Sequence, residues 1–304
     1  MGKMGLSPLR VILPIVGTLG LVITFYPTEN TTVTSEPRPI MDIPNSADEV
    51  PKSNNGNQLQ TSSVCNCSPY DFRGADQEDP RLIEYIRREL LVPPSVQPYK
   101  LARSGAVHFS QFNQSRIANE MLRGMKDGFF VEVGAADGER LSNSIFFERE
   151  LGWRGLLIEA IPSYFEALKK KHRKAYAIHA ALSQTTSASE VSMKANDLGS
   201  KLSAHGITVK GLPFFSILQA LDVKVVDFLS LDIESFEVKI LKTIPWDKIK
   251  FRLMCIEVAH IPEGKEFLTK FLQEKGYEFL GLGYLKIDAW YSHPDLLKTN
   301  VKPH

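Results

Sequence analysis

The order of apolar runs along this sequence predicts an α/β fold: a mostly parallel sheet with helices on both faces and an antiparallel hairpin at its C-terminal edge. Three observations carry that prediction. First, FFVEV (Phe129 to Val133), GLLIE (Gly155 to Glu159), AYAIHAAL (Ala175 to Leu182), VVDFLSLD (Val225 to Asp232) and FRLMCIEV (Phe251 to Val258) are short, apolar and bounded by turn or polar residues, as strands buried on both faces must be. Second, helical periods separate them: LSNSIFFEREL, PSYFEALKKKH, ESFEVKILKTI and EGKEFLTKFLQEK. A βαβα order implies parallel strands with helical crossovers. Third, YEFLGLGYLKIDAWY, after Gly276, holds two strand-like runs around a Gly-rich turn, the pattern of a hairpin.

The elements follow from the N-terminus. Lys3 and Arg10 precede an uncharged stretch, Val11 to Tyr26. Its sixteen residues would span roughly 24 Å as a helix, so flanking residues must help it cross a hydrocarbon core of roughly 30 Å. Phe25, Tyr26 and Pro27 stand where a signal peptide would need small residues, which favours an uncleaved anchor over a cleaved secretory signal. The basic flank puts the N-terminus in the cytosol. The expected organisation is a cytosolic segment 1–10, a membrane helix 11–27, a stem 28–79 and a folded domain 80–304 in the lumen or outside. The stem is rich in Pro, Ser, Thr and Asn and has no apolar period, so it cannot bury enough area to offset its ordering entropy. Acceptor triplets for N-glycosylation occur at Asn30, Asn66 and Asn113, and they matter only in a lumenal domain. Of three cysteines, Cys65 and Cys67 lie in the stem and Cys255 in an apolar run; Cys255 is expected in the core. Asp79 ahead of Pro80 is a helix start for RLIEYIRRELL. With 36 basic and 35 acidic residues the net charge is +1, so no global field favours nucleic acid as a partner.

Candidate site residues gather at the carboxyl ends of the predicted strands, where open α/β sheets bind ligands. FFVEVGAADG places Glu132, Gly134, Asp137 and Gly138 there. The Gly-x-x-x-Gly spacing lacks the Gly-x-Gly-x-x-Gly fingerprint that cradles a pyrophosphate. An acidic residue before such a loop suits S-adenosylmethionine, whose amine and sulfonium tolerate carboxylates. Glu159, ending the second strand, is placed to accept both ribose hydroxyls. Asp232 and Glu234 end the fourth strand, and Glu257 and His260 the fifth; Asp232 or His260 is the candidate general base. No third acid or His adjoins Asp232 and Glu234 in sequence, so no metal site is expected. The run KKKHRK (Lys169 to Lys174) reads as a solvated helix end.

FFVEVGAADGERLSNSIFFERELGWRGLLIEAIP, KHRKAYAIHAALS and VDFLSLDIESFEVKILKTIPW together resemble an FkbM-type methyltransferase domain, over roughly Phe109 to Tyr291. The resemblance implies a class I methyltransferase sheet with S-adenosylmethionine over the first strand. It carries cofactor roles to Glu132, Gly134, Asp137, Gly138 and Glu159, and the second acidic motif to Asp232 and Glu234. With its short N-terminus, single membrane segment and stem, the chain is most similar to the Star-like membrane proteins. That branch implies an endoplasmic reticulum, Golgi, endosomal or plasma membrane location and a membrane-bound growth-factor precursor as client. Two readings follow: an O-methyltransferase, or a cargo-binding trafficking module on the same fold. The family has Asp-Val-Glu-Gly where this chain has Asp232, Ile233, Glu234 and Ser235.

Overall fold

The computed structural model describes residues 10–13, 21–24, 72–193, 207–233 and 235–298, in two units, 1–68 and 69–304. In the first, β1 (Arg10–Leu13) and β2 (Leu21–Thr24) pair antiparallel, Arg10 opposite Thr24 and Leu13 opposite Leu21. Within the expected membrane segment 11–27, the described residues 11–13 and 21–24 are extended. Val11, Ile12, Val22, Ile23 and Thr24 are β-branched, and such side chains suit extended pairing better than helix. Among the described residues no helix is long and apolar enough to cross a membrane. Asn30, Asn66, Cys65 and Cys67 lie outside the described residues.

In the second unit Phe72 is already buried, and Gly74 and Gln77 N–H groups donate to Ala188 and Thr186 carbonyls at 2.7 Å. Helix α1 (Pro80–Tyr85) starts as expected, with Asp79 accepting from the Arg81 N–H at 2.9 Å, and continues as a π-helical turn over Ile86–Leu90. Then come β3 (Leu91–Val92), α2 (Gln114–Met121), β4 (Phe129–Val133), α3 (Ile145–Leu151), β5 (Arg154–Glu159), α4 (Pro162–Lys169), β6 (Tyr176–His179) and β7 (Ala181–Leu182). The chain goes on through β8 (Ser189–Met193), β9 (Ile207–Leu212), α5 (Phe214–Ala220), β10 (Val225–Leu231), α6 (Glu237–Thr243) and β11 (Lys250–Glu257). It closes with α7 (Lys265–Glu274), β12 (Glu278–Leu282), β13 (Asp288–Ser292) and α8 (Pro294–Lys298).

The main sheet has the order β12-β13-β11-β10-β4-β5-β6-β3. Its five central strands are parallel, and β13 joins β11 antiparallel, as the hairpin pattern requires. Chain order reverses between β4 and β10, so a crevice opens beyond their carboxyl ends. The fold class expected from the sequence is the one observed. One run divides, however: AYAIHAAL is not a single strand. It leaves the main sheet after His179, Ala180 donates its N–H to the Glu159 carbonyl at 3.2 Å, and Ala181–Leu182 becomes β7 of a separate sheet ordered β7-β9-β8.

The core packs aromatic rings across β4, α3 and β10: Phe147 lies 4.7 Å from Trp153 and 5.2 Å from Phe228, centroid to centroid. Beside it runs a buried polar network that corrects the reading of KKKHRK. Arg173 is only 3% exposed, because its guanidinium fork is fully used: Nε donates to Glu148 Oε2 at 3.0 Å, Nη1 to the Gly138 carbonyl at 2.5 Å, and Nη2 to Ser144 Oγ at 2.8 Å. Ser144 donates onward to Glu132 at 2.5 Å. Lys171 bonds Glu139 at 2.6 Å. A guanidinium presents five donors in a fixed plane, enough to satisfy several buried acceptors at once. Removing one side of a buried ion pair strands the other, which costs about 3–5 kcal/mol. Arg173→Met is therefore expected to lower the unfolding free energy by about that amount, measured as an earlier denaturant midpoint with unchanged slope; a loss within error of zero would show that the network does not hold the fold.

Candidate functional site

The crevice floor is built by two backbones in close approach. Gly134, at φ +81°, directly follows β4, and a Cβ placed on it would lie 2.1 Å from the Asp232 carbonyl oxygen. Only glycine fits there. The Asp232 N–H in turn donates to Val133 at 3.3 Å, and the N–H groups of Gly134 and Ala135 to Ile158. Beyond Gly134 the loop is folded on itself. Asp137 Oδ1 accepts from the N–H groups of Glu139 (3.0 Å) and Arg140 (2.6 Å), and its Oδ2 lies 3.5 Å from Lys171. Gly138, at φ +76°, presses on α4, where a Cβ would meet Leu168 Cγ at 2.8 Å.

Glu132 is buried and already engaged by the start of α3. Its Oε1 accepts from the Asn143 N–H at 2.6 Å and its Oε2 from the hydroxyls of Ser142 (2.9 Å) and Ser144 (2.5 Å). It holds the start of α3 in place. Glu159 is different. It is 4% exposed, with Oε2 accepting from Ala136 N–H and Oε1 from Ile161 N–H, both at 2.7 Å. Each oxygen keeps a second lone pair, and the two N–H donors fix the carboxylate between the β4 loop and the end of β5. Burial raises its pKa from 4.5 to about 7, against the opposing pull of the Ile161, Ala136 and Ala160 N–H groups. Ionised Glu159 thus weakens the ligand-free fold as pH climbs from 4.5 through 7, and donors arriving at the crevice would reverse that.

The other end of the crevice is acidic. Oxygens of Asp232, Glu237 and Glu257 lie within 4.8 Å of one another, with Asp232 exposed and the other two buried. Glu237 Oε1 accepts from the Ile233 N–H at 2.9 Å, and Glu257 Oε1 from the Ala259 N–H at 2.8 Å. Glu257 Oε1 also lies 3.2 Å from Nδ1 of the exposed His260, an arrangement that orients the ring. The structure thus assembles Asp232, Glu257 and His260 from separate strand ends, as the sequence reading expects, and adds Glu237, which that reading missed. Glu237 is the first residue of α6; its signal in sequence was an acid five residues past Asp232 in a helix that returns over the strand end. Three carboxylates at this spacing have the donor chemistry of a hard divalent cation, a grouping hidden in sequence because Glu237 falls within a helical period and Glu257 on another strand. Glu234 lies outside the described residues. Ser235 stands at φ +84°, the conformation that glycine adopts freely and a side chain does not. Asn113 is exposed just before α2 at φ 63°. Cys255 is buried, as expected, and burial together with Asp288 and Asp232 pushes its thiol well above the ordinary value.

Solved structures of similar shape include the METTL16 MTase domain, 12% identical over 74% of this chain and 79% of its own, with a TM-score of 0.41. The precorrin-6y C5,15-methyltransferase of Geobacter metallireducens is 14% identical over 64% of this chain and 91% of its own, TM-score 0.35. TrmK of M. capricolum, solved with S-adenosyl-homocysteine, is 8% identical over 58% and 66%, TM-score 0.32. No curated protein matches the chain in sequence. From the end of β4 to the start of β12, residues 132–279 match the family model of the methyltransferase FkbM domain.

Proposed function

We propose that the C-terminal unit is an S-adenosylmethionine-dependent O-methyltransferase. The observation that carries this reading is the division of the crevice at the strand-order reversal: a diol-accepting carboxylate, Glu159, on the β5 side, and an acid-oriented imidazole, His260, on the β11 side. The residues fit the cofactor: Glu159 retains one lone pair on each oxygen for two hydroxyl donors, and the exposed Gly134 backbone leaves no side chain in the way. When bound, the cofactor supplies a methyl group on a sulfonium, which leaves as a neutral thioether. The chain's task is then to orient an acceptor hydroxyl and take its proton. His260 is suited to that, with Glu257 at 3.2 Å stabilising the imidazolium that forms; Asp232 is the alternative base. Asp137 and Gly138 shape the loop and Glu132 anchors the start of α3, so these three would serve the cofactor by holding the crevice in form.

A second reading, a cargo-binding module without turnover, is favoured by one observation: Ser235 holds a glycine-like φ of +84° beside the acidic end, where its side chain adds bulk and strain. Under either reading we propose membrane attachment in the secretory pathway, with a lumenal C-terminal unit and a membrane-bound growth-factor precursor as client. Its support is sequence alone, the uncharged run Val11 to Tyr26 behind Lys3 and Arg10. In lipid every backbone group must be bonded within the segment, so β1 and β2 would have to give way to helix there.

Three outcomes are expected. Hydroxyl donors favour the ionised carboxylate, and Glu159 titrates at about 7, so S-adenosylmethionine should bind about tenfold tighter at pH 8 than at pH 6. Calorimetry at both values checks this, and Glu159→Gln should bind weakly and lose the dependence. His260→Gln should lower transfer of labelled methyl groups into a secretory-membrane extract by roughly 10²–10⁴ while leaving cofactor affinity intact; a wild-type protein that binds cofactor but labels nothing would establish the second reading. In sealed microsomes the domain should survive protease, and its digestion there would overturn the lumenal topology.

A further inference from the structure

A second pocket lies away from the crevice. It is a cavity of about 320 Å³ between the small β7-β9-β8 sheet and α1, and no residue of the acidic cluster lines it. The volume falls at the small end of the range for ligand pockets. Its apolar wall is aromatic: Phe72 and Tyr85 stack at 4.8 Å with their rings 27° apart, and Leu82 and Val209 complete the wall. Over the Tyr85 ring, 5.8 Å from its centroid, sits the ammonium of Lys210.

The charge arrangement is unusual for a half-buried lysine. Its cross-strand neighbour is Glu190, directly opposite in the β8–β9 register. Glu190, however, is engaged by Arg73, Nη2 to Oε1 at 2.7 Å. Among the described residues no carboxylate pairs with Lys210. Its pKa is lowered from the ordinary lysine value, and burial is the cause. Among the described residues the cavity is therefore lined by two cations, Arg73 and Lys210, and one carboxylate, Glu190, which Arg73 engages, and Lys210 stands above an aromatic and aliphatic wall. Burying a charge without a partner is costly, and an anion in the cavity would remove that cost.

We propose that this cavity is a binding site for a small amphiphilic carboxylate, with the carboxylate on Lys210 and the apolar body against Phe72, Leu82, Tyr85 and Val209. The proposal is independent of methyl transfer. A free phosphate would satisfy the cation and leave the apolar wall wet, so it is the weaker occupant.

The test is calorimetry on the full chain with three probes: octanoate, 1-octanol and inorganic phosphate. Octanoate should bind at least about tenfold tighter than either of the others. Lys210→Met keeps the apolar stem and removes the charge, so it should lose that advantage while its affinity for 1-octanol is unchanged. Lys210→Arg restores the charge and should restore octanoate binding. Thermal melts confirm that both variants fold. The proposal is overturned if the unaltered chain gives no heat with octanoate, if octanoate binds no tighter than 1-octanol or phosphate, if Lys210→Met binds octanoate equally, or if folded Lys210→Arg does not recover it.

Discussion

One buried guanidinium sets the geometry on which the crevice depends. Arg173 ties three elements together: it bonds Glu148 of α3, the Gly138 carbonyl of the β4 loop and, through Ser144, the Glu132 carboxylate inside β4. Lys174 adds its N–H to Glu148 at 2.6 Å. Charged hydrogen bonds of this kind are satisfied only in one arrangement, and a partly satisfied set would be worse than an apolar core. The loop that covers the first strand end is therefore rigid at its far side, where Gly138 is pinned between Arg173 and Leu168. Asn143, the residue between the two serines, reaches across to Ser230 of β10 at 3.0 Å, so the same cluster also clamps the seam where strand order reverses.

Two chemistries share that seam. On the β5 side a buried carboxylate is held near neutrality by desolvation and is ready to accept hydrogen bonds. On the β10–β11 side three carboxylates lie close together, one of them beside an exposed imidazole. The separation follows from topology, because neighbouring helices cross on opposite faces at the reversal and leave both strand ends uncovered.

Most of this frame was legible in the sequence, and the reasons are local. β4, β10 and β11 are continuous apolar runs, which parallel strands covered on both faces require. Asp79 and Pro80 announced α1 through cap chemistry that needs no tertiary information. What stayed hidden was decided by partners distant in sequence. Arg173 sits in a basic run that looks like a solvated helix end, and only the Glu148 and Ser144 acceptors, 25 and 29 residues away, draw it inside. Glu132 stands where a ligand-binding acid is expected, yet three donors of the next helix start occupy it. Glu237 is hidden in a helical period and reaches Asp232 only after the chain turns. AYAIHAAL reads as one strand because the break at Ala180 is made by a second sheet, not by a local signal. The β8–β9 pairing has weak apolar alternation, and the β-branched residues of β1 and β2 suit extended pairing where an apolar run reads as helix.

The close approach at Gly134 bears on how such a domain would diverge over evolutionary time. A side chain there collides with the carbonyl of Asp232 whether or not anything binds in the crevice, and Gly138 and Glu132 are likewise fixed by packing and by internal hydrogen bonds. A lineage that abandoned catalysis would keep all three to remain folded. The motif that most clearly marks the first strand is thus a record of architecture. His260, with 61% of its side chain exposed, lies outside that buried network, so under the proposed function its retention or drift among relatives is the more direct record of activity.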